Sequence, residues 1–417
     1  MLAALFSMPA LGKAQTVRVA SWNLGWHVST AEVSNWIDKC SRSFKKNPAT
    51  KRWDLADGDT AGTTVGWFIK ESRANLEGVD LSTIPPCGVY KDGRFNGIAV
   101  TPNAYSNRVR QLAGLMAVAV HADVIAFQEV SGTAAVREAL GTIADQYNIC
   151  SFDGQFKVQR LAFAWRKQFG DPVEDCKVVI PVSLPQEAEE NQVRPALTMG
   201  LFVGGKLVRF MNVHLKSSCV SSLEKGKLDD GKQEACTLLQ RQIRPLESGV
   251  ESLSAGADHF VVLGDFNRNL WHEFYEVTGS EAVRSDGERQ LARPMPTGVL
   301  SKSLFKEVFD GQPGGPVTLV SLACTQDAAN QALCDAAKTR VLNKDEIKLL
   351  SGFNALGCRN PIGLDHFVIS NSLASKVTSA EKLSIGRMGG SKGPTEAKAE
   401  PLLAVSDHCP IVMTLQF

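Results

Sequence analysis

The sequence predicts an α/β protein, and three features of the chain support this. Short apolar runs have the length of buried strands, segments with helical periodicity lie between some of them, and long loops separate these elements. Strands mixed with helices pack as α/β or α+β layers around an apolar core. The apolar runs are Val17–Trp22, Val124–Val130, Leu161–Trp165, Leu207–Leu215, Phe260–Leu263, Leu364–Ile369 and Pro410–Leu415.

Two segments repeat apolar residues at the spacing of a helix face. The first lies directly before the run that starts at Val124, and its face is Val109, Leu112, Met116 and Ala119. The second contains Pro245, which predicts a bend in the helix. Its apolar positions are Ala235, Leu238, Leu239, Leu246, Val250 and Leu253.

The length of 417 residues fits two or three domains, or one large α/β domain with insertions. With 44% hydrophobic residues the chain has enough apolar surface for a large core. Residues from about Ser34 to Thr101 have poor periodicity, scattered Pro, Gly, Lys and Asp, and two cysteines. We therefore expect one domain over residues 15–417, with a disulfide-pinned insertion at about 34–101.

The start of the chain has features of a secretory signal peptide. The apolar run from Leu2 to Leu11 is too short to cross a bilayer, which needs about 20 residues. The small residues Gly12 and Ala14 precede a candidate cleavage site after Ala14. No basic residue precedes the run, so a buried or frayed terminal segment is the alternative. Residues 1–14 are predicted to be a signal peptide, and the protein to be secreted or periplasmic.

The ten cysteines are dispersed, and none forms a CxxC motif. An even number of cysteines behind a signal peptide indicates disulfides, whereas buried free thiols in a cytosolic protein are the alternative. The spacing leaves the connectivity open. The pairings that close short, loop-like stretches are Cys150–Cys176, Cys219–Cys236 and Cys324–Cys334, which leaves Cys40–Cys87 and Cys358–Cys409.

Charge and missing motifs exclude several classes of function. The net charge is +1, from 45 Lys and Arg against 44 Asp and Glu, so no overall cationic field attracts nucleic acid. The chain has no GxSxG elbow, no Walker P-loop, no HExxH and no GxGxxG. The commonest serine hydrolase, nucleotide-binding and zinc-protease sites are therefore absent from the sequence.

Polar residues follow or flank the predicted strands, where they are costly unless paired, metal-bound or functional. In chain order they are Asn23, Glu129, His214, Asp265, Asn267, Asp365, Asp407 and His408. Asn23, Glu129 and Asp407 are hard oxygen donors suited to Mg²⁺ or Mn²⁺. Histidine with a carboxylate can supply a general base and its orienting partner. The set predicts metal-assisted attack of water on phosphorus.

The ordered motifs WNL, QE, NVHLKS, GDFN, LDHF and SDHCPI resemble the endonuclease/exonuclease/phosphatase superfamily. The resemblance runs from Val17 to the C-terminus. It implies a four-layer αββα sandwich, in which two mixed sheets lie face to face and helices cover their outer sides. This refines the α/β class that the apolar runs predict.

The resemblance also implies roles for individual residues. The catalytic set is His214, Asp265, Asn267, Asp365 and His408. The metal site is Asn23, Glu129 and Asp407, and the substrate-binding residues are Gln159 and Arg194. Asp365 would orient His408, the general base or transition-state stabiliser. Gln159 departs from the family pattern, because deoxyribonuclease-like members place a glutamate behind the first histidine.

The expected function is a divalent-metal-dependent phosphodiesterase, most simply a secreted non-specific endonuclease. Its substrate would be DNA or RNA, and its metal Mg²⁺ or Mn²⁺, with Ca²⁺ as a further option. No membrane span and no obligate protein partner are expected. A sphingomyelinase-like enzyme or an inositol phosphate hydrolase is the alternative, since the NVHL and GDFN motifs also occur in these branches of the superfamily. A non-enzymatic binding module with the same fold is a third hypothesis.

Other polar and aromatic residues have structural interpretations. His27, His121 and His259 are expected at the surface or in turns, and His366 should point away from Asp365 on the opposite face of its strand. The basic cluster within residues 42–52 is more typical of a solvated face than of a nucleic-acid patch. Trp36 and Trp53 nearby keep a base-stacking role open.

Overall fold

The structure is a computed structural model of the chain. It describes residues 15–58, 60–71, 74–93, 96–152, 158–220, 233–275, 282–283, 289–290, 303–312, 315–324 and 327–417. The predicted signal peptide, residues 1–14, lies outside the described residues.

The strands occur along the whole described chain. They are β1 (Thr16–His27), β2 (Ser43–Lys46), β3 (Trp53–Leu55), β4 (Thr63–Val65), β5 (Lys91–Asp92), β6 (Asn96–Gly97), β7 (Val124–Val130), β8 (Tyr147–Ser151), β9 (Arg160–Arg166), β10 (Glu174–Val179), β11 (Ala196–Val203), β12 (Lys206–His214), β13 (His259–Asp265), β14 (Ala282–Val283), β15 (Arg289–Gln290), β16 (Val317–Leu319), β17 (Asp365–Ser370), β18 (Val377–Lys382) and β19 (Ile411–Gln416).

The α-helices lie between the strands. They are α1 (Thr30–Cys40), α2 (Pro102–Leu115), α3 (Thr133–Leu140), α4 (Gln233–Ser254), α5 (Leu270–Phe274), α6 (Leu304–Val308), α7 (Ala328–Thr339), α8 (Lys344–Leu350) and α9 (Asn371–Ala374). A π turn extends α2 over Met116–Val120, and 3₁₀ turns occupy Gly66–Phe68, Gly141–Gln146, Lys167–Phe169, Ile180–Ser183, Glu189–Asn191 and Gly386–Gly389. None of the helices in the described part of the chain combines the length and apolar character that a membrane span requires.

Two six-stranded mixed sheets form the centre of the protein. The first has the order β18-β19-β1-β7-β9-β8 and the second has the order β10-β11-β12-β13-β17-β16. In the first sheet β1 pairs parallel with β7 and antiparallel with β19. In the second, β12 pairs parallel with β13, which pairs antiparallel with β17. The carboxyl ends of β1, β7, β12 and β13 and the start of β17 carry the predicted polar residues.

The layers follow from the alternation of side chains along each strand. On β1, Val17 and Val19 pack in the core between the two sheets, whereas Ala20 and Trp22 pack on the outer side. Residues of α2 and α3 cover the outer face of the first sheet, and α4 covers that of the second. The four-layer αββα sandwich of two mixed sheets is therefore confirmed.

Five disulfides join all ten cysteines. They are Cys40–Cys87, Cys150–Cys176, Cys219–Cys236, Cys324–Cys334 and Cys358–Cys409, with Cα–Cα distances from 5.0 to 6.4 Å. All of the favoured pairings are confirmed. Disulfides persist in oxidising compartments, so a full set agrees with an extracellular or periplasmic protein.

The segment after β1 has its own apolar cluster. Trp36 of α1, Trp67, Tyr90 and Tyr105 of α2 are buried together, and the Trp36 ring centroid lies 5.6 Å from that of Trp67. The small sheet β3-β2-β4 and the Cys40–Cys87 disulfide belong to the same segment. Because Trp36 is fully buried, the expectation that it could stack on a base is wrong.

Candidate active site

The polar residues at the strand ends meet at one edge of the two sheets. The register of β12 and β13 places His214 opposite Asp265, and that of β13 and β17 places Asp265 opposite Asp365. Asn23, in the last β1–β7 pair before the bulge, donates from Nδ2 to Asp265 Oδ2 at 3.0 Å. This bond crosses from the first sheet to the second and joins their polar ends.

His408 and two aspartates form the centre of the site. His408 Nδ1 lies 3.1 Å from both carboxylate oxygens of Asp365, and His408 Nε2 lies 3.7 Å from Asp265 Oδ2. Lys382 Nζ lies 3.3 Å from Asp365 Oδ2. All four side chains are buried. Asp365 therefore orients the imidazole so that its other nitrogen faces Asp265, as a base and its orienting carboxylate require.

The pKa values in this centre are shifted by burial and by mutual charge. Burial alone would lower the pKa of His408, but the carboxylates of Asp365 and Asp265 stabilise the imidazolium and raise it. Burial, together with the charge of Asp365, raises the pKa of Asp265. Burial would also raise the pKa of Asp365, but His408 and Lys382 lower it to about 2. The pKa values of His408 and Asp265 are therefore both raised, and that of Asp365 is lowered.

The backbone on either side of His408 is fixed by buried contacts. Its N–H donates to Ser406 Oγ at 2.9 Å, and its carbonyl accepts from Trp22 Nε1 at 2.9 Å. Ser406 Oγ donates to the carbonyl of Asn23 at 2.6 Å. The disulfide from Cys409 to Cys358 follows immediately. These contacts attach the loop before β19 to the end of β1.

Glu129 and His214 form the second half of the site. His214 Nε2 lies 3.5 Å from Glu129 Oε1 and 3.6 Å from Asp265 Oδ2, so it links Glu129 to the central aspartate. Glu129 Oε2 accepts from the Trp26 backbone N–H at 3.0 Å. Gln159 Nε2 donates to Glu129 Oε1 at 3.3 Å, which places Gln159 beside the predicted metal ligand.

Four non-glycine residues at the site have left-handed backbone. They are Trp26 at φ 58°, Glu129 at φ 56°, Ser218 at φ 76° and Asn267 at φ 50°. Such conformations are sparsely populated and collect at functional sites, because the surrounding structure must enforce them. Gly25, at φ 59°, leaves room for Asp407, since a Cβ there would lie 3.2 Å from Asp407 Oδ1. The Gly25–Trp26 bulge therefore lies between Asp407 and Glu129.

Asp407 is held at the rim of the site by two residues that the sequence motifs do not contain. Its Oδ2 accepts from an Arg359 guanidinium nitrogen at 2.8 Å and from Asn360 Nδ2 at 3.0 Å. Burial would raise the pKa of Asp407, but Arg359 and His408 lower it. The Cys358–Cys409 disulfide brings these segments together. Arg359 and Asn360 directly follow Cys358, and Asp407 lies two residues before Cys409. The pairing of these cysteines is therefore the sequence signal that could have identified Arg359 and Asn360 as neighbours of Asp407.

Asn267 and Arg194 make contacts within the protein. Asn267 donates its backbone N–H to Asp265 Oδ1 at 2.8 Å and its Nδ2 to the Leu215 carbonyl at 3.1 Å. Arg194 is buried, and donates to the carbonyls of His214 at 3.3 Å and Leu215 at 2.5 Å. Both residues line the cavity described below, and substrate contact by either stays a prediction.

A cavity of about 570 Å³ contains the site. Of the ten predicted site residues, eight line it: Glu129, Gln159, Arg194, His214, Asp265, Asn267, Asp407 and His408. Asn23 and Asp365 lie behind this surface and contact Asp265 and His408 respectively. The structure thus brings the whole predicted set together.

Two histidines differ from their expected environments. His27 is fully buried, and its Nδ1 lies 2.8 Å from an Arg108 guanidinium nitrogen, so its expected surface position is wrong. His259 is also mostly buried. His366 points away from Asp365 as expected, with Nε2 3.0 Å from the Arg268 carbonyl. None of these contacts involves the cavity.

Replacing Lys382 with methionine should make the native state more sensitive to acid. Asp365 has a lowered pKa in the folded state, so its stabilising contribution is complete above pH about 4 and is lost as the pH falls toward 2. Without Lys382 the pKa of Asp365 should rise, which moves the loss to higher pH. We expect a destabilisation of about 1–3 kcal/mol at neutral pH.

The acid transition is measured by tryptophan fluorescence between pH 7 and pH 2, with each variant also unfolded by urea. Lys398→Met, at an exposed position, is the control and should unfold like the parent protein. An unchanged acid midpoint in Lys382→Met would contradict the role of the ammonium group.

Comparisons with known proteins give low similarity. No family model and no curated protein matches the chain. An endonuclease/exonuclease/phosphatase family protein from Bacteroides thetaiotaomicron has 13% identity and a TM-score of 0.44, and the match covers 97% of this chain and 99% of that one. The name of that Bacteroides thetaiotaomicron protein is the family that the sequence motifs resemble.

Two further solved structures are similar at the same level. D. rerio TDP2, complexed with a single-strand DNA product, has 15% identity and a TM-score of 0.39, with 75% of this chain and 92% of that chain covered. A mannosyl-6-phosphatase from Bacteroides thetaiotaomicron has 13% identity and a TM-score of 0.40, with 75% and 91% covered. Similarity this low says nothing about the activity of this chain, so its function is inferred from its own site.

Proposed function

We propose that this protein is a divalent-metal-dependent phosphodiesterase of the endonuclease/exonuclease/phosphatase superfamily that hydrolyses nucleic acid. One observation carries the proposal: Asp365, His408, Asp265, His214 and Glu129 form a continuous chain of polar contacts around one cavity. This arrangement provides a proton-accepting pair at one end and a cation-binding carboxylate at the other.

The residues fit a divalent cation. Among the described residues, four carboxylates meet at the site, those of Glu129, Asp265, Asp365 and Asp407, beside the ammonium of Lys382 and the guanidinium groups of Arg359 and Arg194. Clustered hard oxygen donors suit Mg²⁺ or Mn²⁺.

Three acid and base side chains, Asp265, Asp365 and His408, also lie close enough together to hold an ion. We assign the metal to Glu129 instead, with Asn23 and Asp407 as neighbours, because Asp365 and His408 are already bonded to each other. A metal bound at Glu129 would neutralise charge on the phosphate and favour attack by water.

The side chains of this chain would perform the remaining steps. Asp365 orients His408, and the His408–Asp265 pair takes the proton from the attacking water. His214, which lies between Glu129 and Asp265, donates a hydrogen bond to a non-bridging phosphate oxygen. Asn267 donates a hydrogen bond to the second non-bridging oxygen of the phosphate. No covalent intermediate is needed, since water attacks phosphorus directly.

Secretion is part of the same proposal. Five disulfides are expected in an extracellular or periplasmic protein, and residues 1–14 have the composition of a signal peptide. Residues 15–417 would then form the mature domain, with the insertion at about 34–101 beside the catalytic edge.

A substrate panel tests the proposed function. The protein is incubated with supercoiled DNA, single-stranded DNA, RNA and sphingomyelin, with Mg²⁺, with Mn²⁺ and with a chelator. We expect nucleic acid to be hydrolysed in the presence of metal, and the rate to fall at least about a hundredfold with chelator. Hydrolysis of sphingomyelin alone would favour the phospholipid branch, and hydrolysis of none would contradict the proposal.

A further inference from the structure

The insertion after β1 supplies one wall of the active-site cavity. Its aliphatic side chains Ile69, Leu76, Leu81 and Val89 line the same cavity as the catalytic residues. Trp26, from the bulge at the end of β1, is half-buried between the insertion and the site. The cavity therefore has a charged floor and an apolar wall.

The wall is a packed part of the fold. Ile69 and Leu76 are buried in the same cluster as Trp36, Trp67 and Tyr90. The Cys40–Cys87 disulfide attaches the segment just before Val89 to the end of α1. A wall with an aromatic core and a covalent anchor keeps its place beside the site, and so it limits what can enter.

Charged groups of both signs lie on the wall. Glu71, which lines the cavity, forms an ion pair with Lys46 and accepts from Trp53 Nε1 at 3.1 Å. The side-chain hydrogen bonds from Lys46 and Trp53 lower the pKa of Glu71. Lys91 of β5 also lines the cavity and adds a positive charge on the insertion side.

We propose that the insertion wall and Trp26 form a subsite for the unpaired base of the nucleoside attached to the scissile phosphate. A cavity of about 570 Å³ is of a size that encloses a compact ligand. A base in a duplex is stacked and paired, so it would have to leave the helix to reach the wall. The subsite thus selects single-stranded or terminal nucleotides. This inference rests on the proposed function and deepens it.

The test uses two esters with the same leaving group. The p-nitrophenyl ester of thymidine 5′-phosphate carries a nucleoside, whereas methyl p-nitrophenyl phosphate carries a methyl group in its place. We expect the nucleoside ester to have a kcat/KM about ten to a hundred times higher, which is the gain that stacking of one base provides. A single-stranded oligonucleotide should likewise be cut at least about tenfold faster than its duplex.

Leu81→Asn tests the wall itself. Leu81 is half-buried at the cavity, so a polar amide of similar size should remove most of the preference for the nucleoside ester and keep the methyl ester rate. Leu55→Asn, at an exposed position of the same insertion, is the matched control and should keep both rates. Val89→Asn, also half-buried at the cavity, replaces Leu81→Asn if that variant does not fold.

Equal kcat/KM for the two esters in the parent protein, or an unchanged ratio in a folded wall variant, would overturn the subsite alone. Failure to hydrolyse either ester or any nucleic acid with Mg²⁺ or Mn²⁺ would overturn the proposed function, and the subsite with it. The two failures are therefore distinguishable.

Discussion

Replacing His408 with alanine should lower the rate of phosphodiester hydrolysis by about a hundredfold or more while the fold is retained. The imidazole is held by Asp365 through Nδ1, and its Nε2 faces Asp265 at 3.7 Å. Without the imidazole, only Asp265 can accept the proton from water. Asp265 also loses the neighbouring positive charge that lowers its pKa, so a larger fraction of it is protonated. Both effects raise the barrier to attack.

The measurement is kcat/KM on single-stranded DNA, with thermal unfolding recorded for each variant. His121→Asn is the control, because His121 is exposed and has left-handed backbone at φ 33°, which asparagine tolerates. Turnover close to that of the parent protein in a folded His408→Ala variant would show that the chemistry occurs elsewhere.

Replacing Glu129 with glutamine should abolish tight binding of the divalent cation and lower turnover by about a hundredfold or more. The substitution keeps the size of the side chain and its contact with the Trp26 N–H, but removes the negative charge. A neutral amide oxygen is a weaker donor for Mg²⁺ or Mn²⁺ than a carboxylate.

Titration calorimetry with Mn²⁺ gives the affinity independently of any activity assay. Glu190→Gln, at an exposed turn, is the matched control and should bind Mn²⁺ like the parent protein. Unchanged Mn²⁺ affinity in Glu129→Gln would place the metal elsewhere, with the Asp265, Asp365 and His408 group as the first site to examine.

Central strands of the fold were predictable from the sequence. The run Val124–Val130 matches β7 residue for residue, because the strand is buried on both faces and its first four residues are all apolar. Strands such as β10 and β18 were missed, since they are edge strands with polar residues on their exposed side. Their pairing depends on a neighbour that is distant in the chain, so local periodicity is weak.

The structure of the insertion was likewise not predictable from local periodicity. Its sequence has no clear period, yet Trp36, Trp67, Tyr90 and Tyr105 make one apolar core. This core depends on contacts between α1, α2 and the segment around Tyr90, which are far apart in the chain. That the insertion lies beside the active site is expected from its position between Asn23 and Glu129, but the side chains with which it lines the cavity were not predictable from its composition.

Residue type and chain order by themselves indicated the α/β class and the polar residues that meet at the cavity, but left the disulfide connectivity open. Apolar strands that end in carboxylates, amides and histidines form a local pattern that the sequence shows. Only the tertiary structure decided that Lys382 and Arg359 pair with carboxylates of the site, that Glu129 has left-handed backbone, and which side chains of the insertion line the cavity. These features arise where distant segments are packed together, and the charge and shape that each side chain meets there are set by its neighbours in space.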